Sequence, residues 1–214
     1  MNAPFLVASL YGGSRRARAA LLERLDLPAD ALPALGGWRA DVGLLRLLVD
    51  RIERSRPSTV VEFGSGVSTL IVARALERFV GPHSVFISFE HDERFSRRSG
   101  RRLAEHGLSA DLRVAPLVPS PGGWPGLWYD HGALPERIDL LVVDGPPWTV
   151  HPFTRGAAET LFERVPIGGC VVLDDGARPG ERIVAARWRR RWPGFRFELV
   201  RAGSKGTLIG ERVA

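Results

Sequence analysis

Four short stretches of the chain carry acids or glycines in arrangements that could bind a small ligand and act on it. The first is Glu62-Phe63-Gly64-Ser65-Gly66-Val67-Ser68-Thr69. Two glycines flanking one residue allow a sharp turn and bring the backbone close to a ligand at a helix N-terminus. A dinucleotide fingerprint needs a third glycine where this chain has Thr69, and does not require the acid at Glu62. An acid there repels phosphate and suits a ligand with a cationic amino-acid end, although a plain strand-to-helix turn accounts for the glycines equally well. The second stretch, Phe89-Glu90-His91-Asp92, places Glu90 24 residues after Gly66. A carboxylate at such a strand end can accept hydrogen bonds from both hydroxyls of an adenosine ribose. Nicotinamide enzymes use the same position, so Glu90 argues for a nucleoside ligand without choosing among them. A solvated acid in a charged loop is the plainer alternative.

The third and fourth stretches are Asp144-Gly145-Pro146-Pro147-Trp148 and Asp174-Asp175, each following an apolar run. Carboxylates at neighbouring strand ends lie within a few ångströms of one another, because paired strands are about 4.8 Å apart. Three converging acids must repel, raise a pKa or share a cation. No basic residue is immediately beside them in the sequence, so Mg²⁺ or a similar hard cation at Asp144, Asp174 and Asp175 is the sharper expectation. The plainer one is that Asp175 caps a turn and Asp174 merely ends its strand.

These stretches need elements to hold them. Residues 14–26 and 41–54 have helical apolar spacing, ended by Pro28 and by Ser55-Arg56-Pro57. The period then changes. Strands are predicted at 59–63, 85–89, 112–115, 138–143 and 170–173, with helices at 68–79, 94–106, 154–164 and 181–191 between or after them. Two further strands, 195–200 and 206–210, close the chain as an antiparallel hairpin. Continuous apolar strands alternating with helices indicate an α/β fold with a mostly parallel sheet covered on both faces. In such a sheet ligands bind outside the carboxyl ends of the strands, at the switch point of the strand order, which is where the four stretches fall. We expect an N-terminal helical segment or lid over 1–36 and one ligand-binding domain over 37–214.

Taken together, Val60-Val61-Glu62-Phe63-Gly64-Ser65-Gly66, Glu90, Asp144-Gly145-Pro146, and Gly168-Gly169 ahead of Asp174-Asp175 resemble a class I S-adenosylmethionine (SAM)-dependent methyltransferase. More narrowly, the chain is similar to the small enzymes related to catechol and caffeoyl-CoA O-methyltransferases, over roughly 37–210 including the Lys205-Gly206-Thr207 turn. The resemblance implies a Rossmann-like, seven-stranded sheet whose last strand is antiparallel. It implies the donor over Gly64 and Gly66, with Glu62 and Ser68 at its methionine end and Asp144 nearby. It also implies the ribose on Glu90 beside His91, and the adenine near Ala115, Pro116 and Leu117. In metal-dependent relatives acids at the positions of Asp144, Asp174 and Asp175 hold a divalent cation. Those relatives often carry a lysine base three residues after the first acid, where this chain has Pro147. Methyl transfer is an in-line displacement that also removes a proton from the acceptor, and Asp144 and His151 are the nearby candidates to take it. His151 is a lone loop histidine, a type that is often a bystander.

The acceptor is expected to be a small molecule methylated at a hydroxyl oxygen. Trp124, Trp128, Tyr129, Trp148 and Phe153 fall in the loops after strands three and four and would border it. A nucleic-acid or protein N-methyltransferase is the first rival. Gly145-Pro146-Pro147-Trp148 superficially matches a base-gripping motif, but Gly145 has no side chain where a polar one is needed. A nicotinamide oxidoreductase and an inert nucleoside-binding module complete the alternatives. Net charge is +6, yet Lys205 is the only lysine, and arginine is spread along the chain as a GC-rich coding sequence would produce. The dense run 187–191, interleaved with Trp188 and Trp192, reads better as a helix with an aromatic inner face than as a nucleic-acid stripe. No apolar run approaches the roughly 20 residues of a membrane span, and the opening Phe5–Leu10 run precedes its arginines, the reverse of a secretory signal. The single Cys170 lies in an apolar run and fits a reduced, cytoplasmic setting. Nucleic-acid and membrane partners are disfavoured, and a homodimer is left open.

Overall fold

A computed structural model describes residues 10–37 and 39–214. Residues 5–9 of the opening apolar run therefore lie outside the described residues. Helix α1 (Arg15–Arg24) begins at Ser14, whose hydroxyl accepts from Ala17 N at 3.1 Å. Helix α2 (Val42–Ser55) is capped by Asp41, which accepts from Leu44 N at 3.0 Å, and ends at Arg56 in the left-handed region ahead of Pro57. The chain then alternates: β1 (Thr59–Phe63), α3 (Val67–Phe79), β2 (Val85–Glu90), α4 (Glu93–Glu105) and β3 (Asp111–Val114). A small hairpin, β4 (Leu117–Pro119) and β5 (Leu127–Tyr129), precedes β6 (Leu140–Val143). After it come a 3₁₀ segment (Thr154–Arg164), β7 (Cys170–Leu173), α5 (Pro179–Arg191), β8 (Phe195–Val200) and β9 (Thr207–Arg212).

The seven strands of the main sheet lie in the order β3-β2-β1-β6-β7-β9-β8. All are parallel except β9, which runs antiparallel to both β7 and β8. The last strand is thus antiparallel as expected, and sits one place in from the β8 edge. One core lies under α1 to α4, and includes Leu21, Leu22 and Leu25 of the N-terminal helix. The other lies under the β4–β5 hairpin, the 3₁₀ segment and α5.

Two expectations are corrected. The helix expected at 154–164 is a 3₁₀ segment buried on most of its surface. Its geometry follows close packing: Gly156 lies flat against the Trp124 ring, where an added Cβ would meet ring carbons at 2.3 Å. Trp124 and Trp128 are core residues, 5% and 1% exposed, and do not border an acceptor. The Trp124 indole donates to the buried Glu159 carboxylate at 2.7 Å, and Arg187 of α5 stacks on its ring at 4.0 Å. The inner face of the arginine-rich helix is Trp188, fully buried, with its indole donating to Gly156 O at 3.0 Å. No helix among the described residues is long and apolar enough to cross a membrane.

Candidate active site

The strand order reverses between β1 and β6, and there the register sets Phe63 beside both Phe89 and Val143. Gly64, Glu90 and Asp144 consequently emerge at one level. Hydrogen bonds join the three ends: Gly64 N donates to Phe89 O at 2.8 Å, and Asp144 N and Gly145 N both donate to Phe63 O, at 2.9 and 2.7 Å. Gly64 has φ +98°, and a Cβ there would lie 2.6 Å from Gly145 N, so both conformation and space demand glycine. Gly66 differs. It has extended φ, and a Cβ added to it meets nothing within 4 Å.

The turn is braced from beneath. Gly66 N donates to the Thr69 hydroxyl at 2.8 Å, which donates to Glu62 Oε2 at 2.6 Å. Ser88, directly across the β1–β2 register from Glu62, donates to the same oxygen at 2.6 Å. Thr69, where a dinucleotide fold would have its third glycine, is therefore the link between turn and acid. Glu62 and Ser68 are buried behind the turn and do not line the cleft in front of it. Burial raises the Glu62 pKa to about 7, against the hydroxyls of Ser68, Ser88 and Thr69, which lower it.

That cleft has a volume of about 560 Å³, within the ~300–1,000 Å³ range of small-molecule sites. Gly64, Ser65, Glu90 and His91 line one end, and Asp144 and Asp175 the other. Glu90 Oε1 accepts from His91 N at 2.8 Å and Asp92 N at 3.0 Å, which orients the carboxylate. His91 Nδ1 lies 2.8 Å from the same oxygen, and that contact raises the imidazole pKa in spite of partial burial. The lining residues with buried polar atoms that have no hydrogen-bond partner among the described residues include Ser65 and Tyr129, through Oγ and Oη. Buried groups are normally satisfied, so such atoms facing a cleft await a polar ligand. Burial pushes the Tyr129 phenol well up, with Glu90 adding to the effect.

Asp144, Asp174 and Asp175 converge as the strand ends imply, with ligand atoms within 4.8 Å of one another. No basic residue adjoins them in the sequence, but the fold brings three to them. Arg155, 5% exposed, places NH1 3.1 Å from Asp175 Oδ2 and NH2 3.7 Å from Asp144 Oδ1. Arg178 NH2 donates to Asp175 Oδ2 at 2.6 Å. Lys205 Nζ lies 3.7 Å from Asp174 Oδ2 and 3.6 Å from Asp175 Oδ1. Burial would raise Asp175, but Arg155, Lys205 and Arg178 outweigh it and hold its pKa below the usual range. Asp174 goes well above, through burial and then the charges of Asp175 and Asp144. Burial also raises Asp144, opposed by Arg155 and Lys205.

His151 does not line the cleft. Its Nδ1 accepts from Phe153 N at 3.2 Å and its ring packs edge-on to Phe153, which is also outside. Ala115 and Pro116 are likewise absent from the lining, with Ala115 N donating to Glu90 O at 2.8 Å. Trp148, Tyr129 and the exposed Phe95 supply the aromatic wall instead.

A family model described as a methyltransferase domain matches residues 61–176. No curated protein matches the sequence. Among solved structures, the chain is similar to a methyltransferase from Geobacter sulfurreducens, at 18% identity and TM-score 0.59, covering 96% of this chain and 93% of that one. It is similar to the O-methyltransferase TomG from Streptomyces achromogenes, involved in tomaymycin synthesis and in complex with SAM, at 18% identity and TM-score 0.54, covering 97% and 94%. It is also similar to an O-methyltransferase from Bacillus cereus in complex with SAH, at 13% identity and TM-score 0.59, covering 99% and 100%.

Proposed function

Because the chain belongs to the methyltransferase-domain family, we propose that it transfers the methyl group of S-adenosylmethionine to a hydroxyl oxygen of a small molecule. The observation that carries this reading is one cleft holding Glu90 at the end of β2, Gly64 and Ser65 of the turn at the end of β1, and Asp144 at the end of β6. TomG in complex with SAM and the Bacillus cereus enzyme in complex with SAH support the choice of donor and of oxygen. When bound, the donor supplies an electrophilic methyl carbon on a sulfonium. Glu90 accepts the ribose hydroxyls, Ser65 and the turn backbone hold the amino-acid end, and Asp144 takes the acceptor's proton. Trp148 and Phe95 offer apolar surface to a planar acceptor. Cys170 is buried with its thiol pushed up to about 11, an unreactive group that suits a reducing, cytoplasmic setting.

A divalent cation does not fit the acid cluster. Asp144, Asp174 and Asp175 are each within ion-pair distance of Arg155, Arg178 or Lys205, so a dication would enter a place whose charge is already balanced. No step is assigned to a metal. The proposal is tested by calorimetry with SAM and with NAD, followed by labelled-methyl transfer to a panel of hydroxylated small molecules. Failure to bind SAM would sink it.

Two variants probe the donor end. Glu90→Ala weakens SAM binding by about 1.5–3 kcal/mol, the worth of hydrogen bonds to a charged group. Unchanged affinity in the folded variant removes the ribose assignment. Gly66→Val keeps its melting temperature, because the new side chain enters open space. It weakens SAM binding tenfold or more, about 1.4 kcal/mol at least, because that space is where the donor lies. Normal binding by this variant means the turn is only structural.

A further inference from the structure

Of the 30 lysine and arginine residues, one is lysine, and the fold buries it among acids. Lys205 is 3% exposed. The turn between β8 and β9 that carries it is pinned on both sides. Asp41 at the start of α2 accepts from Ser204 N at 2.9 Å, and Ala177 N donates to Lys205 O at 3.1 Å. Gly176 N donates to Gly206 O at 2.8 Å, and Gly206 takes φ +66° to allow this close turn. The ammonium is anchored in turn, donating to Arg39 O at 2.8 Å.

An ammonium has three donors and no acceptor. With one N–H on Arg39, the charge stands 3.7 Å from Asp174 Oδ2 and 3.6 Å from Asp175 Oδ1. These two oxygens are buried and have no hydrogen-bond partner among the described residues, on residues 2% and 3% exposed. Arg155 and Arg178 already occupy the other oxygen of Asp175. A compact point charge can face oxygens of two carboxylates at once, whereas a planar guanidinium favours the fork of a single carboxylate. A chain that uses arginine everywhere else has lysine where an ion-like cation is needed.

We propose that the Lys205 ammonium is the resident cation of the Asp144–Asp174–Asp175 cluster, holding the place a divalent metal would otherwise take. The carboxylates then stay converged without metal, and the cluster becomes a divalent-cation site only when that charge is removed. The proposal concerns the cleft of the methyl-transfer reading but does not rest on turnover, so its test reads cation binding alone.

The experiment titrates the full chain with Mn²⁺ and follows free Mn²⁺ by electron paramagnetic resonance. Wild type shows no saturable site up to about 1 mM, the weak end of protein oxygen-ligand cation sites. Lys205→Met, and Lys205→Gln as a second neutral replacement, bind one Mn²⁺ at least tenfold more tightly than wild type, and Asp174→Asn in the same background abolishes the gain. A wild-type site that saturates below 1 mM and is lost in Asp174→Asn overturns the proposal. So does a folded Lys205 variant that binds Mn²⁺ no better than wild type. Should both variants misfold, lysine-selective labelling of wild type decides, because only one side chain reports. Its resonance persists in sub-millimolar Mn²⁺ if the ammonium holds the site, and broadens away if the metal enters beside it.

Discussion

Asp144→Asn lowers kcat by about 10²–10⁴-fold, the usual contribution of a positioned general base, while the protein stays folded. Asparagine keeps the shape of the side chain, and the backbone N–H at this position remains on Phe63 O at 2.9 Å. What is lost is the ability to accept a proton. Asp144 suits that task because burial moves its pKa above the usual carboxylate range, while Arg155 and Lys205 keep it from becoming a permanently protonated acid. The sign of the pH effect follows. The base works ionised, so kcat/KM is low below its pKa, rises with pH through it and then levels. That rise lies above the ordinary aspartate value of 3.8, because the folded pKa is raised. The Asn variant loses this limb as well as the rate. A pH profile of kcat/KM for both proteins checks the claim. A variant that keeps kcat but binds SAM weakly would make Asp144 a donor contact, and full activity would free it of either role.

Much of this arrangement was legible in the sequence because buried parallel strands leave a plain trace. Val60-Val61, 140–143 and 170–173 read as continuous apolar runs, and an acid or glycine immediately after such a run must stand at the ligand edge of the sheet. The convergence of Asp144, Asp174 and Asp175 followed from strand spacing alone. The β4–β5 hairpin left no such trace, since its strands are three residues each and one ends in Pro119. Reading its surroundings as loop put Trp124 and Trp128 at the acceptor, when their rings fill the core.

The cations around the acids were hidden for another reason. Arg155 reaches the cluster from the 3₁₀ segment and Lys205 from the β8–β9 turn, and sequence spacing does not say which way either side chain points. In a chain with 30 basic residues, an arginine carries little information by itself. The uniqueness of Lys205 was the one visible signal, and base composition accounts for it equally well until its burial is known. Similarly, Glu62 was readable as an acid at the turn. Only the register with Ser88 reveals that it faces away from the cleft.

Arg155→Met destabilises the fold by about 3–5 kcal/mol at pH 7, the scale for removing one partner from a buried ionic network. The guanidinium reaches three segments at once, after β6, after β7 and at the start of α5. Its Nε donates to Pro146 O at 3.0 Å and its NH1 to Asp174 O at 3.3 Å, while NH2 donates to Asp144 O. NH1 also faces Asp175 at 3.1 Å and Glu181 at 3.8 Å. Methionine fills similar space but leaves those carboxylates with less compensation, and Glu181 already has a pKa pushed up to about 7 by burial. Without Arg155, which lowers it, that pKa climbs further. A carboxylate with a higher pKa folded than unfolded binds more protons in the native state, so stability falls as pH rises through this window. Wild type takes up the same proton only below about pH 7, so the variant's loss is largest above pH 7 and shrinks as the pH falls to 7, by protonating Glu181 in place of pairing it. Urea unfolding of both proteins at pH 9 and pH 7 makes the comparison. A loss below about 1 kcal/mol, the scale of an exposed ion pair, or a loss of equal size at both pH values would mean that Arg155 fills space without holding the charges of the site together.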